Sequence, residues 1–489
     1  MPSLNVARVL SSLALLVVLG SAWAQPASSA SEPVPPASAE LTSASSPAAA
    51  VIPAAPVVVN APVAPAAPVV VPPAPLTRPG LVAQSTINGA DTAWMLTATA
   101  LVLLMTLPGI ALFYGGMVRK KSVINTMACT VAIAAVVSIL WFTVGYSLAF
   151  TPGGPWIGGT DRLFFDGIDY PKDAGKVSVS HLAPTIPESV FAMFQLTFAI
   201  ITPALIVGAF VERMKFSAMV WFISLWSVLV YAPVAHWVWE PSGWLAQMGA
   251  LDFAGGSVVH INAGVAGLVC AYFLGPRRGY GREAFEPFNL GLTMSGTGLL
   301  WVGWFGFNAG SALTADGRTG LAMLTTHVAA AAGALSWMGA EWLVRRRPSL
   351  LGLCSGVVAG LVAITPAAGY VTPAAALAIG LIAGISCYWG ATGLKRLLRA
   401  DDSLDVFGVH GVGGIVGALL TGLLASPTIS GAQGSILTQA VAALAVLAYS
   451  GLVSALLLLV IQQVIGLRVE DSDEITGMDL TQHRERIGT

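Results

Sequence analysis

The sequence predicts an all-α membrane protein of eleven transmembrane helices in which spans 1–5 and 6–10 form an inverted repeat. Three observations carry that prediction. Of 489 residues, 55 % are hydrophobic and only 10 % charged, whereas a soluble domain carries about 25 % charged residues. Apolar stretches of spanning length follow one another from about Ala90 onward. Two of them share a pattern: Asp252 with His260, Gly264 and Gly267, and Asp405 with His410, Gly414 and Gly417. An ionisable side chain inside a span is expensive and by default marks a pathway or site. The net charge of −1 leaves no nucleic-acid footprint. Cys129, Cys270, Cys354 and Cys387 lie in apolar runs without a Cys-x-x-Cys pair, so they read as small core residues.

Taken in order, residues 1–24 have the form of a signal peptide. Arg8 supplies the positive start, Val9 to Gly20 the apolar run, and Ala22-Trp23-Ala24 the small-x-small cleavage site. That run is too short to span, since about 20 residues are needed. Residues 25–84 are rich in Pro, Ala, Val and Ser. Repeated prolines bar helix and sheet, so a disordered tail is expected there. The predicted spans are 90–118, 122–150, 186–211, 216–238, 253–274, 289–312, 319–344, 350–365, 373–394, 406–424 and 434–465. The eighth and tenth are short and glycine-rich. A polar tail, 467–489, closes the chain.

The loops set the orientation. Alternate loops hold Arg119-Lys120-Lys121, Arg213 and Lys215, Arg277, Arg278 and Arg282, Arg345-Arg346-Arg347, and Lys395, Arg396 and Arg399, fourteen in all. The intervening loops hold four: Arg162, Lys172, Lys176 and Arg318. The positive-inside rule puts the first set in the cytoplasm. The mature N-terminus is then outside and the C-terminus inside, as an odd span count after a cleaved signal requires. The fifth span runs inward and the tenth outward, so the two histidine helices are antiparallel. An inverted repeat places its shared site near the bilayer midplane. At 1.5 Å per residue, His260 lies about 12 Å from Asp252 and His410 about 7 Å from Asp405. Both depths fall inside a core of about 30 Å.

Two neutral imidazoles can share one N–H···N hydrogen bond, leaving a donor on one ring and an acceptor on the other. Such a pair handles a small amine or relays a proton without a fixed charge. A lone membrane histidine is as readily a satisfied core residue. Two at equivalent repeat positions favour a functional pair. No third Cys, His or carboxylate shares the spacing, which disfavours a metal site. No nucleophile–base set or cofactor fingerprint appears, which disfavours an enzyme. His181, His236, His327 and His483 take the structural reading.

Four long motifs resemble the ammonium transporter (Amt/Mep/Rh) family, and its bacterial ammonium transporters in particular. They are Pro108 to Gly116, Asp252 to Gly267, Gly303 to Ser311, and Asp405 to Gly411. The likeness runs from about Asp91 to His483, so residues 85–466 form the membrane domain and 25–84 a periplasmic tail. The resemblance implies eleven helices per subunit, a homotrimer in the inner membrane, and one pore per subunit for NH4+/NH3.

It implies an outer ammonium site at Trp239, Ser311 and Phe198. Cation–π attraction is worth roughly 0.5–2 kcal/mol, and a serine hydroxyl can accept an ammonium N–H. On residues alone Trp239 reads as an interfacial belt tryptophan; the likeness reverses that. It also implies that Phe198 and Phe307 gate the pore and that His260 and His410 line it. Asp252 could attract cations directly or hold the vestibule in shape by accepting backbone N–H bonds at its helix start; the second role is expected, with an indirect electrostatic pull on ammonium. Gly109, Gly115 and Gly116 are expected to let helices pack closely.

The tail motif Gly477-Met478-Asp479 with His483 implies docking of a PII-type signalling protein. Arg484-Glu485-Arg486 departs from the Gly-Glu pair expected there. Glu240, where a small residue is usual, is expected to add negative potential at the mouth. Two rival readings remain at this level: an ammonium sensor, and an Rh-like neutral gas channel, against which Trp239 argues.

Overall fold

The computed structural model describes residues 75–488. The predicted leader 1–24 and most of the predicted tail 25–84 lie outside the described residues. Long helical stretches coincide with the predicted spans. They are α1 Gly89–Met117, α2 Lys120–Phe150, α3 Glu188–Val207, α4 Phe216–Gln247 and α5 Gly256–Leu274. Then come α6 Leu290–Trp304, continued through Phe305–Ala309, α7 Gly317–Arg345 and α8 Leu350–Ile364. The last are α9 Pro373–Leu398, α10 Phe407–Leu424 and α11 Ile436–Val464. Among the described residues nine of these are long and apolar enough to cross a membrane; α8 is shorter, and α6 carries Thr, Ser and Asn along its length.

Polar caps set where many of these helices begin. Asn88 accepts from Ala90 and Asp91, Asn289 from Gly291 and Leu292, and Ser349 from Gly352. Asp316 and Thr319 make a reciprocal capping box on α7, and Thr372 precedes Pro373 at the first turn of α9. Each satisfies backbone N–H groups that lipid cannot. Buried shares of the apolar stretch, 94 % for α3 and 89 % for α5 against 33 % for α2, put α3 and α5 at the centre.

The central contact is the crossing of α5 and α10. A Cβ on Gly264 would lie 2.5 Å from the Gly411 Cα, and one on Gly414 would lie 2.9 Å from the Gly256 carbonyl oxygen. Each glycine stands four residues after its own histidine and faces the start of the other histidine helix. This reciprocity is what an inverted repeat requires at its axis. α1 and α6 meet the same way: a Cβ on Gly303 would lie 2.5 Å from the Met105 Cβ, and one on Gly109 3.5 Å from Leu300.

One expectation needs correction. The predicted tail ran to residue 84, yet β1 Gly80–Ala83 pairs antiparallel with β2 Lys176–Val179, Gly80 opposite Val179. This segment has no proline, and its partner is distant in sequence, so local composition hides the pairing.

The basic ends of the helices share one face. There Arg277 bridges Glu212 and Asp401, the latter at 2.8 Å, and Arg119 bonds Glu212 at 2.8 Å. The predicted tail packs on this face as α12 Asp471–Thr476 and α13 Met478–His483. The Asn125 backbone N–H donates to Asp479 at 2.8 Å, the His483 ring lies 3.0 Å from Asn125 Oδ1, and Met478 is fully buried.

The crossing yields a prediction. Gly264→Ala forces overpacking worth about 1–3 kcal/mol and lowers the melting temperature of the purified protein. Gly298→Ala, with nothing within 4 Å of its added Cβ, holds or slightly raises it, since alanine is the better helix former by roughly 0.5–1 kcal/mol. Equal shifts for both variants contradict a close α5–α10 contact.

Candidate functional site

Both histidines sit in π-helical turns, His260 in Gly256–Ile261 and His410 in Phe407–Gly411. Phe307 sits in a third, Phe305–Ala309. Such turns widen the helix locally and recur at functional sites.

The turn that carries His260 is held by Asp252. Its carboxylate accepts backbone N–H bonds from Gly255 (2.7 Å), Gly256 (2.6 Å), Ser257 (2.8 Å) and Val258 (3.2 Å). Four charge-assisted bonds offset the cost of burying the charge. Gly255, at φ +114°, occupies a backbone region that other residues avoid. The Asp252 carbonyl accepts the Trp239 indole N–H at 2.9 Å. One residue thus ties the tryptophan to the histidine helix, as a shape-holding role requires.

The second repeat corrects the sequence reading. Asp405, read there as the partner of His410, has φ +58° and pairs with Lys395 at 2.7 Å. The true counterpart is Asp402, eight residues before His410 as Asp252 is before His260. Asp402 is buried and accepts the Phe407 N–H at 2.7 Å, and its Oδ1 has no partner. Burial pushes its carboxyl up to about 6, against the pull of Lys395 and with repulsion from Asp405.

These elements frame a path. On the face opposite the basic residues lies a cavity of about 170 Å³, lined by Phe150, Leu182, Gln195, Phe198, Trp239 and Ser311 among others. Trp239 stacks on Phe150, with centroids 6.3 Å apart, and meets Phe198 edge-on at 5.8 Å. Ser311 donates its hydroxyl to the Phe307 carbonyl at 2.9 Å, which leaves its oxygen lone pairs free to accept. Phe198 and Phe307 stack at 4.2 Å with rings 21° apart, both buried. Beyond them the His260 ring lies 6.1 Å from Phe307 and 5.5 Å from Trp304. His260 and His410 face each other, Nδ1 to Nδ1 at 3.4 Å, with rings 22° from parallel. His410 then lines a second cavity of about 20 Å³ with Tyr114, Leu404 and Asp405.

Six of the seven expected residues lie along this path, and Asp252 braces it through Trp239 and the turn that carries His260. Glu240 is buried beside Trp239, and its oxygens are engaged by Ser242 and by His181 at 3.1 Å. Sequence reading missed Phe150, Gln195 and Thr365, which are apolar or uncharged and lie in no quoted motif, and it gave no role to Trp304, which lies within the Gly303 to Ser311 motif. It missed Asp402 although the shared eight-residue spacing was there to be counted.

A buried line of aromatic rings and two imidazoles between cavities toward opposite faces of a helical membrane protein is the architecture of a small-solute transporter. The model of the Ammonium Transporter Family matches residues 93–487, and the chain belongs to that family. The ammonium transporter of Bacillus subtilis is 48 % identical over 405 residues, covering 81 % of this chain and 98 % of that one. That of Aquifex aeolicus is 48 % identical over 412 residues, covering 83 % and 94 %. Among solved structures, Saccharomyces cerevisiae Mep2 superposes with a TM-score of 0.73 at 36 % identity, covering 79 % of this chain and 91 % of that one. A structure titled Sensor Amt Protein gives 0.74 at 29 %, covering 81 % and 98 %. The two bacterial relatives are named as transporters, not enzymes.

The two acids should behave differently. Asp252→Asn turns an acceptor oxygen into a donor aimed at backbone N–H groups, at about 1–3 kcal/mol for each left unsatisfied. Its melting temperature falls below that of Asp402→Asn; the reverse order contradicts the four-bond cap. For Asp402 the folded pKa of about 6 lies above the unfolded value near 3.9. The folded state therefore holds the proton more tightly. That stabilisation is full below about pH 4 and lost as pH rises through 6. Asp402→Asn removes this decline from thermal-unfolding curves taken between pH 5 and 7.5. Curves of identical slope for both proteins refute the assignment.

Proposed function

We propose that this protein carries ammonium nitrogen across the bacterial inner membrane, with the Trp239 cavity facing the periplasm and the tail the cytoplasm. The observation that carries the reading is the His260–His410 pair, 3.4 Å apart and buried directly behind the stacked phenyl rings.

Ammonium enters the cavity, where the faces of Trp239 and Phe198 attract its charge and the Ser311 oxygen accepts an N–H. It cannot pass the rings as an ion, because an uncompensated charge in that lumen costs at least several kcal/mol. It returns a proton to water in the outer cavity, and NH3 slips between Phe198 and Phe307 and travels along the two imidazoles to the inner cavity. Asp252 keeps Trp239 and the histidine turn in register. K+ is rejected because it has no proton to lose. A homotrimer and docking of a PII-type signalling protein on the basic face belong to the same reading. Likeness to a structure titled as a sensor supports a second one, in which ammonium binding mainly signals through α12 and α13.

The test is uptake into proteoliposomes. Radiolabelled methylammonium enters at rates well above empty vesicles, competes with ammonium, and is indifferent to K+. Trp239→Leu weakens the apparent affinity about 2- to 30-fold, the span of one cation–π contact. Competition by K+ at the level of ammonium would sink the mechanism, and binding without flux would transfer the case to the sensor.

A further inference from the structure

Thr365, at the end of α8, touches both His260 and Trp304. Its hydroxyl donates to the Leu361 carbonyl at 2.8 Å. The Trp304 indole N–H, a donor only, points at the Thr365 oxygen at 2.9 Å. A hydroxyl has one proton and two lone pairs. With the proton given to Leu361 and one lone pair taken by Trp304, this oxygen can only accept once more. The His260 Nε2 lies 3.4 Å away, so it must be the nitrogen that carries the hydrogen. A neutral imidazole has one N–H, which leaves the His260 Nδ1 bare. The His410 Nδ1, 3.4 Å from it, then donates, and the His410 lone pair stays at Nε2.

We infer that Thr365 is a positioning residue that sets the direction of the histidine pair. In the resting state the hydrogen bond runs from His410 to His260. The His260 end presents a filled N–H and the His410 end, on the inner cavity, a lone pair. A proton arriving from the vestibule finds no acceptor on His260 until the bond to Thr365 breaks. A proton arriving at the His410 Nε2 is accepted at once. The His410 Nδ1 proton passes to the His260 Nδ1, and the His260 Nε2 proton, once its bond to Thr365 breaks, is handed to a base that enters from the vestibule, ammonia or water. One proton enters, one departs, and both rings end in the opposite tautomer. Thr365 favours the first tautomer over the second, so it biases any proton relay through the pair. The tautomers follow from the hydrogen-bond network; only their bearing on conduction rests on the function proposed above.

The experiment is solid-state ¹⁵N NMR on the full-length protein in lipid bilayers with labelled histidine. The pair is identified by the signals lost in His260→Asn and in His410→Asn. The wild type is expected to show a protonated Nε2 on His260 and a protonated Nδ1 on His410. Thr365→Val shifts the tautomer ratio by about tenfold toward the reverse arrangement, and Thr365→Ser restores it. Trp304→Phe removes the indole donor but keeps the Thr365 acceptor, so the tautomers hold; a general packing defect moves them in both variants. A protonated Nδ1 on His260 in the wild type overturns the inference, as does a spectrum unchanged by Thr365→Val. The readout needs no transport, so correct tautomers without uptake condemn the function and spare this assignment.

Discussion

The structure depends on how closely α5 and α10 cross. Two antiparallel helices reach this separation only where neither carries a side chain at the contact, and Gly264 against Gly411 and Gly414 against Gly256 supply that gap. In lipid no hydrophobic force draws helices together, so tight van der Waals contact has to do it. Glycine weakens a helix by roughly 0.5–1 kcal/mol relative to alanine, and the crossing is what that loss secures. It sets the two imidazoles at bonding distance, and the phenyl rings and both cavities are arrayed along the same line.

Electrostatics follow the same geometry. A buried acid stands before the start of each histidine helix, Asp252 before one and Asp402 before the other. Asp252 is saturated with backbone donors, while Asp402 has one free oxygen and titrates near 6. The two halves of the repeat share a plan and differ in its electrostatic detail. Aromatic and imidazole rings surround the stretch between the cavities, a setting that resists an uncompensated charge.

Much of this was legible beforehand. Span positions depend on hydropathy, a local property, and most were read within a few residues, 350–365 against Leu350–Ile364 and 406–424 against Phe407–Leu424, while the fourth runs on to Gln247 against an expected 238. The histidine pair was legible because its glycine spacing repeats. Asp402 was overlooked because Asp405 lies nearer His410 and looks equally acidic; only the backbone bonds distinguish them. β1 was overlooked because its partner strand is about a hundred residues away. Thr365 is one of many threonines, and nothing local sets it apart.

By itself, then, the sequence determined the membrane class, the helix positions and the doubled pattern of acid, histidine and glycine. These follow from the cost of burying polar groups in lipid and from fixed spacings along one chain. Tertiary structure alone decided which acid serves each histidine, which aromatics wall the vestibule, and which hydroxyl sets the tautomers. Those are contacts between residues far apart in the chain, and their energies exist only once α3, α5, α6, α8 and α10 have packed together.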